Sequence, residues 1–266
     1  MMTSLTNPQV KNLVKLRKSQ RHRREQGLMV IEGLRELQRA LQTNTPLQIV
    51  YYCPECWYKG GEQALLEELK RANIETRETG KPVFEKISYR STPDGLLATA
   101  PLPVRRLEDL QLSENPFIIV AEALEKPGNL GSLLRLADAA GADALIVCDQ
   151  ATDINNPNVI RASTGTIFSV PIAECSSEEA IKWLKSHRIK ILSSSPAAKI
   201  AYTAANLTQA CAIIIGSEQA GLDKKWMKEA DIQVTIPMHG LADSLNASMA
   251  ATVLAFETIR QRNRGP

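Results

Sequence analysis

The sequence Ile236-Pro-Met-His-Gly-Leu-Ala-Asp-Ser-Leu-Asn-Ala-Ser248 joins an apolar strand to an alanine-rich helix. The strand is predicted at 232–237, where β-branched residues dominate, and the helical pattern runs over 245–262. Ligands of open α/β sheets bind beyond the carboxyl ends of the strands. The polar residues of this connection are therefore candidates for a functional site.

The chain from Asn115 onward alternates short apolar strands with helical segments. Such strands, without a polar face, are typical of a parallel sheet covered by helices on both sides. We therefore predict an α/β domain over 115–266. Its strands are predicted at 117–121, 144–148, 167–172, 189–193, 211–216 and 232–237, and its helices at 129–140, 156–163, 177–187, 223–229 and 245–262.

A smaller α/β domain is predicted over 1–100, with one helix near its start. Val10, Leu13 and Val14 have the spacing of an apolar helical stripe, and Gly27 would end the helix. The sequence PLPVRR opens a linker that we predict over 101–114. The remaining strands of the small domain are predicted at 28–31, 47–52, 74–78 and 95–100, and its helices at 33–42, 62–72 and 81–88.

Two further segments of the second domain carry polar residues after a strand. Asn129 and Arg135 follow the strand at 117–121, and Gly216-Ser-Glu218 opens the loop after the strand at 211–216. The glycine spacing of this loop is that of a phosphate-binding loop, but it continues with Leu-Asp instead of the lysine and hydroxyl that such a loop needs. A G-x-G-x-x-G motif is also missing. The sequence therefore favours neither a nucleoside triphosphate nor a dinucleotide as ligand.

The three segments together resemble a known set of motifs. Asn129-x-Gly-x-x-x-Arg, Gly216-Ser-Glu-x-x-Gly-Leu and Ile236-Pro-Met…Ser-Leu-Asn-x-Ser stand in the order found in the SpoU (TrmH) family of RNA ribose 2′-O-methyltransferases of the SPOUT superfamily. The first domain is similar to the L30e-like substrate-binding domain of members that modify large-subunit ribosomal RNA. That similarity rests on the acid-free N-terminal helix and on Asp94-Gly95.

The resemblance implies a fold and an assembly that the residue pattern alone does not give. It implies an α/β SPOUT domain with a deep trefoil knot, in which S-adenosylmethionine binds to the knot loops as methyl donor. It also implies a homodimer with the active site at the subunit interface. Small side chains at Ala247, Ala250, Ala251 and Ala255 would allow a close helix contact there, although alanine-rich cores are also common.

The resemblance also assigns candidate residues. Asn129 and Ser244 could instead cap helices, and Arg135 could pair with Asp138. Glu218 would fix its loop through backbone N–H groups rather than act on a proton. The catalytic candidates are Arg135, Asn129, Glu218, Ser244 and Asn246. The cofactor-binding candidates are Ser194, Ser195, Gly216, Ile236, Met238, Ser244 and Leu245.

Charge is distributed unevenly along the chain. The sequence has 32 basic and 29 acidic residues, yet residues 1–24 include seven basic residues and no acidic one, so the remainder is net acidic. A short helix with this charge is a footprint for RNA phosphates, although a solvated face or a transit peptide would look similar. The RNA-binding candidates are Lys11, Lys15, Arg17, Lys18, Arg21, Arg23, Arg24 and, from the second domain, Arg161.

The cysteine content and the hydropathy of the sequence exclude several classes of protein. Cys53-Pro-Glu-Cys56 is a lone C-x-x-C without two further paired ligands, so no metal site is expected. Five thinly spread cysteines, no signal peptide and no apolar run long enough for a bilayer favour a cytoplasmic protein. We expect a methyltransferase for structured RNA, with large-subunit ribosomal RNA as substrate. The alternatives are a tRNA 2′-O-methyltransferase or a non-catalytic RNA-binding or ribosome-assembly protein on the same fold.

Overall fold

The helices and strands alternate along most of the chain, as the sequence predicts. The computed structural model describes residues 1–217 and 221–263. The helices are α1 (Pro8–Lys18), α2 (Gln20–Gln26), α3 (Leu34–Gln42), α4 (Glu62–Arg71), α5 (Lys81–Ile87), α6 (Pro127–Ala139), α7 (Pro157–Ala162), α8 (Ser177–Ser186), α9 (Lys224–Glu229) and α10 (Ala247–Asn263). The strands are β1 (Leu28–Glu32), β2 (Ile49–Tyr52), β3 (Glu75–Glu78), β4 (Leu96–Pro101), β5 (Phe117–Glu122), β6 (Ala144–Cys148), β7 (Ile172–Cys175), β8 (Lys190–Ser194), β9 (Ile200–Ala201), β10 (Cys211–Ile215) and β11 (Ile232–Thr235).

These elements form two compact units. The first comprises Met1–Val104 together with Asp153–Ser169, and the second comprises Arg105–Thr152 together with Val170–Pro266. The first break falls inside the linker predicted at 101–114. The short segment around α7 packs with the first unit, although the sequence places it in the second domain. The chain therefore crosses between the units more than once.

The N-terminal basic region forms two helices instead of the single predicted one. Ser19 has an extended backbone, with φ −121° and ψ 116°, and its hydroxyl accepts a hydrogen bond from the backbone N–H of His22. Ser19 therefore ends α1 and caps α2. Gly27 ends α2 in the left-handed conformation, with φ 63°, as the sequence predicts.

The first unit contains a four-stranded sheet in the order β1-β4-β2-β3. β4 pairs antiparallel with both β1 and β2, and β3 pairs parallel with β2. Apolar side chains of α1 and α5 pack together with β1 and β4, and they bury Val10, Leu13, Phe84 and Leu97. This core holds the basic helices against the sheet and leaves most of their charged side chains exposed.

The second unit contains a seven-stranded sheet in the order β7-β6-β5-β10-β8-β11-β9. Every pairing in this sheet is parallel, so the predicted α/β class with a parallel sheet is confirmed. β5, β6 and β10 are buried along their whole length. Parallel strands end at the same edge of a sheet, so the loops after β5, β8, β10 and β11 open on one side.

One predicted strand is wrong in its position. The strand expected at 167–172 begins only at Ile172, because Thr166–Phe168 forms a 3₁₀ turn. Gly165 precedes this turn with φ 91°, a left-handed conformation that glycine adopts without strain. The two-residue strand β9 was not predicted, since two residues carry no periodic pattern.

A buried ion pair joins α2 to the segment that precedes α7. The guanidinium of Arg23 binds the carboxylate of Asp153, and the two side chains are only 3% and 9% exposed. Arg23 also donates to the backbone carbonyls of Leu16 at 2.7 Å and Arg17 at 3.3 Å. Its charge is therefore used inside the protein and is not available to an external phosphate.

No helix among the residues that the structure describes is both long enough and apolar enough to cross a membrane.

Cys53 and Cys56 are buried, with their sulfurs 3.5 Å apart, and burial raises the pKa of Cys53 to about 12. Among the described residues, no three His, Cys, Asp or Glu side chains are grouped closely enough to hold a metal ion.

We predict that Arg23→Gln lowers the free energy of unfolding of the protein by about 3–5 kcal/mol, because Asp153 is left buried without its cation. The measurement is urea unfolding followed by circular dichroism. The control is Arg21→Gln on the same helix, where the exposed pair with Glu25 contributes at most about 1 kcal/mol. An equal loss of unfolding free energy in the two variants would show that the buried pair of Arg23 with Asp153 does not stabilise the fold.

Candidate cofactor pocket and catalytic residues

A pocket of about 280 Å³ lies at the carboxyl edge of the parallel sheet in the second unit. It is formed where β8, β10 and β11 end, and the first turns of α10 close one side. All seven residues predicted to bind a cofactor line this pocket, although they come from three separate stretches of sequence. They are Ser194, Ser195, Gly216, Ile236, Met238, Ser244 and Leu245.

The pocket also has lining residues that the sequence analysis missed. They include Pro196 and Asp243, which adjoin predicted residues in the chain, and Ile214, Leu222 and Ala250, which do not. Asp243 is the one ionisable side chain among the described lining residues, and it is exposed. Its only signal in the sequence is its position directly before the Ser244-Leu-Asn motif.

Gly216 lies where the loop after β10 approaches its own backbone closely. A Cβ atom at this position would lie 2.3 Å from the carbonyl oxygen of Gly221 and 2.7 Å from the nitrogen of Leu222. Ser217 and Gly221 exchange backbone hydrogen bonds of 3.1 Å in both directions and fold the loop back on itself. The close approach at Gly216 is therefore made by the protein's own loop. Glu218, which was expected to brace this loop, lies outside the described residues.

Asn129 and Asn246 are brought together although they lie far apart in the sequence. The side-chain amide of Asn246 donates to Oδ1 of Asn129 at 3.2 Å. Asn129 is in the first turn of α6, whose N-cap is Lys126, so the alternative role of Asn129 as helix cap is wrong. This hydrogen bond connects α6 with the start of α10.

Asn246 has a second role at the start of α10. Its Oδ1 accepts hydrogen bonds from the backbone N–H of Ser248 at 3.0 Å and from the hydroxyl of Ser248 at 2.7 Å. Asn246, not Ser244, thus caps this helix. Ser244 lies in the preceding loop and contributes to the pocket wall.

Arg135 lies on α6, six residues after Asn129, with an exposed side chain. It is not among the residues that line the pocket. Within the part of the chain that the structure describes, Arg135 has no ion-pair or hydrogen-bond partner, and Asp138 does not hold it. A cation in this state is free to meet a ligand or another chain.

The predicted RNA-binding residues fall into four groups. The exposed residues on α1 and α2 are Lys11, Lys15, Lys18, Arg21 and Arg24. Arg17 is partly buried and donates to the backbone carbonyls of Lys86 and Ser88 at the end of α5. Arg23 is buried, as described above. Arg161 lies on α7 in the first unit and is exposed.

Fold and pocket together define an α/β protein with an open pocket at the carboxyl edge of a parallel sheet. The model of the SpoU rRNA methylase family matches residues 116–256, and the model of the MRM3-like substrate binding domain matches residues 7–98. The chain belongs to the SpoU rRNA methylase family, with a substrate-binding domain of the MRM3-like type before it. The family named from the sequence motifs is confirmed.

Solved structures and curated relatives agree with this family. A crystal structure of an RNA 2′-O ribose methyltransferase is 41% identical, with a TM-score of 0.87, and the match covers 98% of this chain and 99% of that one. The SpoU methyltransferase AviRb from Streptomyces viridochromogenes, in complex with AdoMet, is 29% identical, with a TM-score of 0.88, covering 97% and 100%. A 23S rRNA (uridine(2479)-2'-O)-methyltransferase from the same organism is 29% identical over 90% of this chain and 85% of its own length.

We predict that Gly216→Ala destabilises the second unit by about 1–3 kcal/mol, because the new methyl group meets backbone atoms that cannot rotate away. The measurement is urea unfolding. The matched control is Gly240→Ala in the loop before α10, where a Cβ atom meets nothing within 4 Å. An unchanged unfolding midpoint for Gly216→Ala would contradict the close approach.

Proposed function

We propose that this chain transfers a methyl group from S-adenosylmethionine to a ribose 2′-hydroxyl of large-subunit ribosomal RNA. The observation that carries the proposal is that all seven predicted cofactor residues line one pocket in a chain of the SpoU family. Relatives are named as 23S rRNA 2′-O-methyltransferases, and a solved neighbour is bound to AdoMet. The chain is therefore an S-adenosylmethionine-dependent RNA methyltransferase.

The pocket has the chemical character that S-adenosylmethionine requires. Ile214, Ile236 and Leu245 offer apolar walls to a flat base, and the carboxylate of Asp243 offers a negative charge to a cationic ligand. When bound, S-adenosylmethionine supplies a methyl group already activated by the positive sulfonium. The protein then needs mainly to hold the acceptor oxygen in line with the methyl carbon.

Arg135 is assigned to the acceptor oxygen. Its guanidinium stays protonated at any physiological pH, so it does not serve as a general base. Instead, the positive charge orients the 2′-hydroxyl and stabilises the negative charge that develops on its oxygen. The proton passes to a phosphate of the RNA or to water. Asn129 supports this arrangement through its hydrogen bond to Asn246, which fixes α6 against α10.

We predict that Arg135→Ala reduces methyl transfer to ribosomal RNA at least about 100-fold, in the range seen for the loss of one transition-state donor. S-adenosylmethionine binding, measured by titration calorimetry, stays unchanged because Arg135 is outside the pocket lining. Transfer is measured with labelled S-adenosylmethionine and RNA from a strain lacking the protein.

The control for this experiment is Arg71→Ala, which removes an exposed arginine from α4 in the first unit. Full transfer by Arg135→Ala would contradict the assigned role. An absence of transfer by the wild-type protein would instead favour the non-catalytic alternative, an RNA-binding or ribosome-assembly protein.

The active enzyme is proposed to be a cytoplasmic homodimer. Large apolar side chains are exposed in the loop before α10 and on α10 itself, at Leu241, Met249 and Phe256. A second copy that covers them would also bring its Arg135 to this pocket, whose lining does not include Arg135 of the same chain. Sedimentation at the mass of a single chain would contradict the dimer.

A trefoil knot is also part of the proposal. The strand order supports it: β10 lies between β5 and β8, and β11 lies on the far side of β8, so crossover connections join these parallel strands. The side chain of Gln261 in α10 returns to accept a hydrogen bond from the N–H of Leu207 at 2.9 Å and to donate to the carbonyl of Ala205 at 3.0 Å. These hydrogen bonds hold α10 against the segment that precedes β10.

The exposed basic side chains of α1 and α2 are proposed to bind RNA phosphates. We predict that replacing Lys11, Lys15, Lys18 and Arg21 together with Gln weakens ribosomal RNA binding. We also predict that the slope of log affinity against log salt falls by about 3, since each phosphate contact on a single strand contributes about 0.7. The affinity for S-adenosylmethionine stays the same. A parallel loss of both affinities would contradict the division of labour between the units.

A tRNA substrate is the competing proposal, since other relatives are named as tRNA/rRNA methyltransferases. Ribosomal RNA is favoured because several relatives are named as 23S rRNA 2′-O-methyltransferases. Mapping 2′-O-methylated riboses in both RNA pools, with and without the protein, distinguishes the two substrates and identifies the nucleotide.

A further inference from the structure

A second pocket, of about 520 Å³, lies in the first unit and is lined by four basic side chains. Arg35 comes from the first turn of α3, and Lys59 and Arg90 come from the loops before α4 and after α5. Arg161 reaches the pocket from α7, far along the sequence. The site therefore exists only after two distant segments of the chain have come together.

Two of these cations are held in place by buried carboxylates. Asp94, which is fully buried, accepts through Oδ2 from Nζ of Lys59 at 2.7 Å, Nη1 of Arg90 at 3.2 Å and the backbone N–H of Leu34 at 3.0 Å. Oε1 of Glu36 accepts from Nη2 of Arg90 at 3.1 Å. An ammonium has three donors and a guanidinium five, so Lys59 and Arg90 keep donors for a ligand.

The loops that carry these cations are fixed as well. Glu62 accepts hydrogen bonds from the backbone N–H groups of Tyr58 at 2.9 Å, Lys59 at 2.6 Å and Gly61 at 2.9 Å. Burial opposes the charge of Glu62, but these donors outweigh it and hold its pKa at about 2. Glu32 in the same way accepts from the N–H groups of Tyr89 at 2.5 Å and Arg90 at 3.2 Å.

The remaining two cations have no carboxylate partner among the residues that the structure describes. Arg35 and Arg161 are exposed, and Arg161 donates only to the neutral amide of Asn158 at 3.3 Å. Four cations therefore line the pocket, whereas Glu36 is the one carboxylate among its described lining residues. It is built for an anion.

An aromatic ring stands beside these cations. Tyr89 is 43% exposed, and the guanidinium carbon of Arg161 lies 5.9 Å from the centre of its ring. The turn that follows α7 lies close to α3, since a Cβ atom at Gly165 would be 2.7 Å from Cγ of Arg39. This contact fixes Arg161 relative to the pocket. A flat base can stack on an exposed tyrosine, and an arginine can bind the adjoining phosphate.

We propose that this pocket binds an unpaired nucleotide of the RNA, with the phosphate held by Arg35, Lys59, Arg90 and Arg161 and the base stacked on Tyr89. The inference rests on the proposed function only in taking RNA as the substrate. The site is additional to the basic surface of α1 and α2, and it gives the substrate-binding domain a preference for single-stranded over duplex RNA.

The experiment compares two probes, a short fluorescein-labelled single-stranded RNA and the same strand annealed to its complement. Binding is followed by fluorescence anisotropy over a salt series. Arg35→Gln combined with Arg161→Gln is expected to weaken single-strand binding and to lower its salt slope by about 1.4. Tyr89→Leu is expected to weaken it about 5- to 100-fold, as the loss of one stacked base does, with duplex binding unchanged.

The matched control is Arg71→Gln, an exposed arginine on α4 of the same unit, which is expected to change neither probe. The changed residues are exposed, so urea unfolding should match that of wild type. Equal losses for single strand and duplex would overturn the proposal in favour of a general basic surface. Competition by free AMP as strong as by the RNA strand would replace it with a mononucleotide site, and binding of an acidic peptide alone would replace it with a protein partner.

A measurement of methyl transfer distinguishes the failure of the nucleotide pocket from the failure of the proposed enzymatic function. If the wild-type protein transfers no methyl group while the oligonucleotide results hold, the enzyme proposal fails and the nucleotide pocket stands. If transfer occurs and the Arg35, Arg161 and Tyr89 variants keep wild-type RNA binding and KM, the nucleotide pocket alone is wrong.

Discussion

The parallel pairing of β10 with β5 on one side and β8 on the other sets the geometry of the second unit. Ile213 stands opposite Ile119 in one neighbour and Leu192 in the other. This register places the ends of the strands at one edge, where Ser194 and Gly216 both line the pocket. A slip of one residue would move a strand end by about 3.3 Å and turn its side chains to the other face. The pocket therefore depends on the register.

The fold was predictable wherever burial imposes a repeating pattern. The strands β5, β6 and β10 are buried on both faces, and their unbroken apolar runs give their positions to within a residue or two. The pattern fails where a single backbone conformation decides the outcome. Ser19 divides one predicted helix into two, and the turn at Gly165 delays the start of β7. Neither the extended backbone at Ser19 nor the turn at Gly165 changes the pattern of apolar residues around it.

The pocket was predictable for a different reason. Its walls come from three loops, and no local pattern says that these loops meet. The motif resemblance supplied the residues, and the sheet then explains why they converge. Asp243 was missed because an acidic residue in an exposed loop has no distinguishing pattern. Arg23 was misjudged among its neighbours, because its buried partner, Asp153, is far away in the sequence.

The position of Asp153–Ser169 in the first unit has a consequence for the order of synthesis and for domain exchange. The ribosome releases the basic helices long before it releases Asp153. Arg23 is therefore without its carboxylate partner while the first strands of the second unit are synthesised. The N-terminal domain is thus completed late, although it emerges first. A recombination event inside the linker would separate Arg23 from Asp153. Exchange of this substrate domain between proteins therefore requires two segments of sequence to move together.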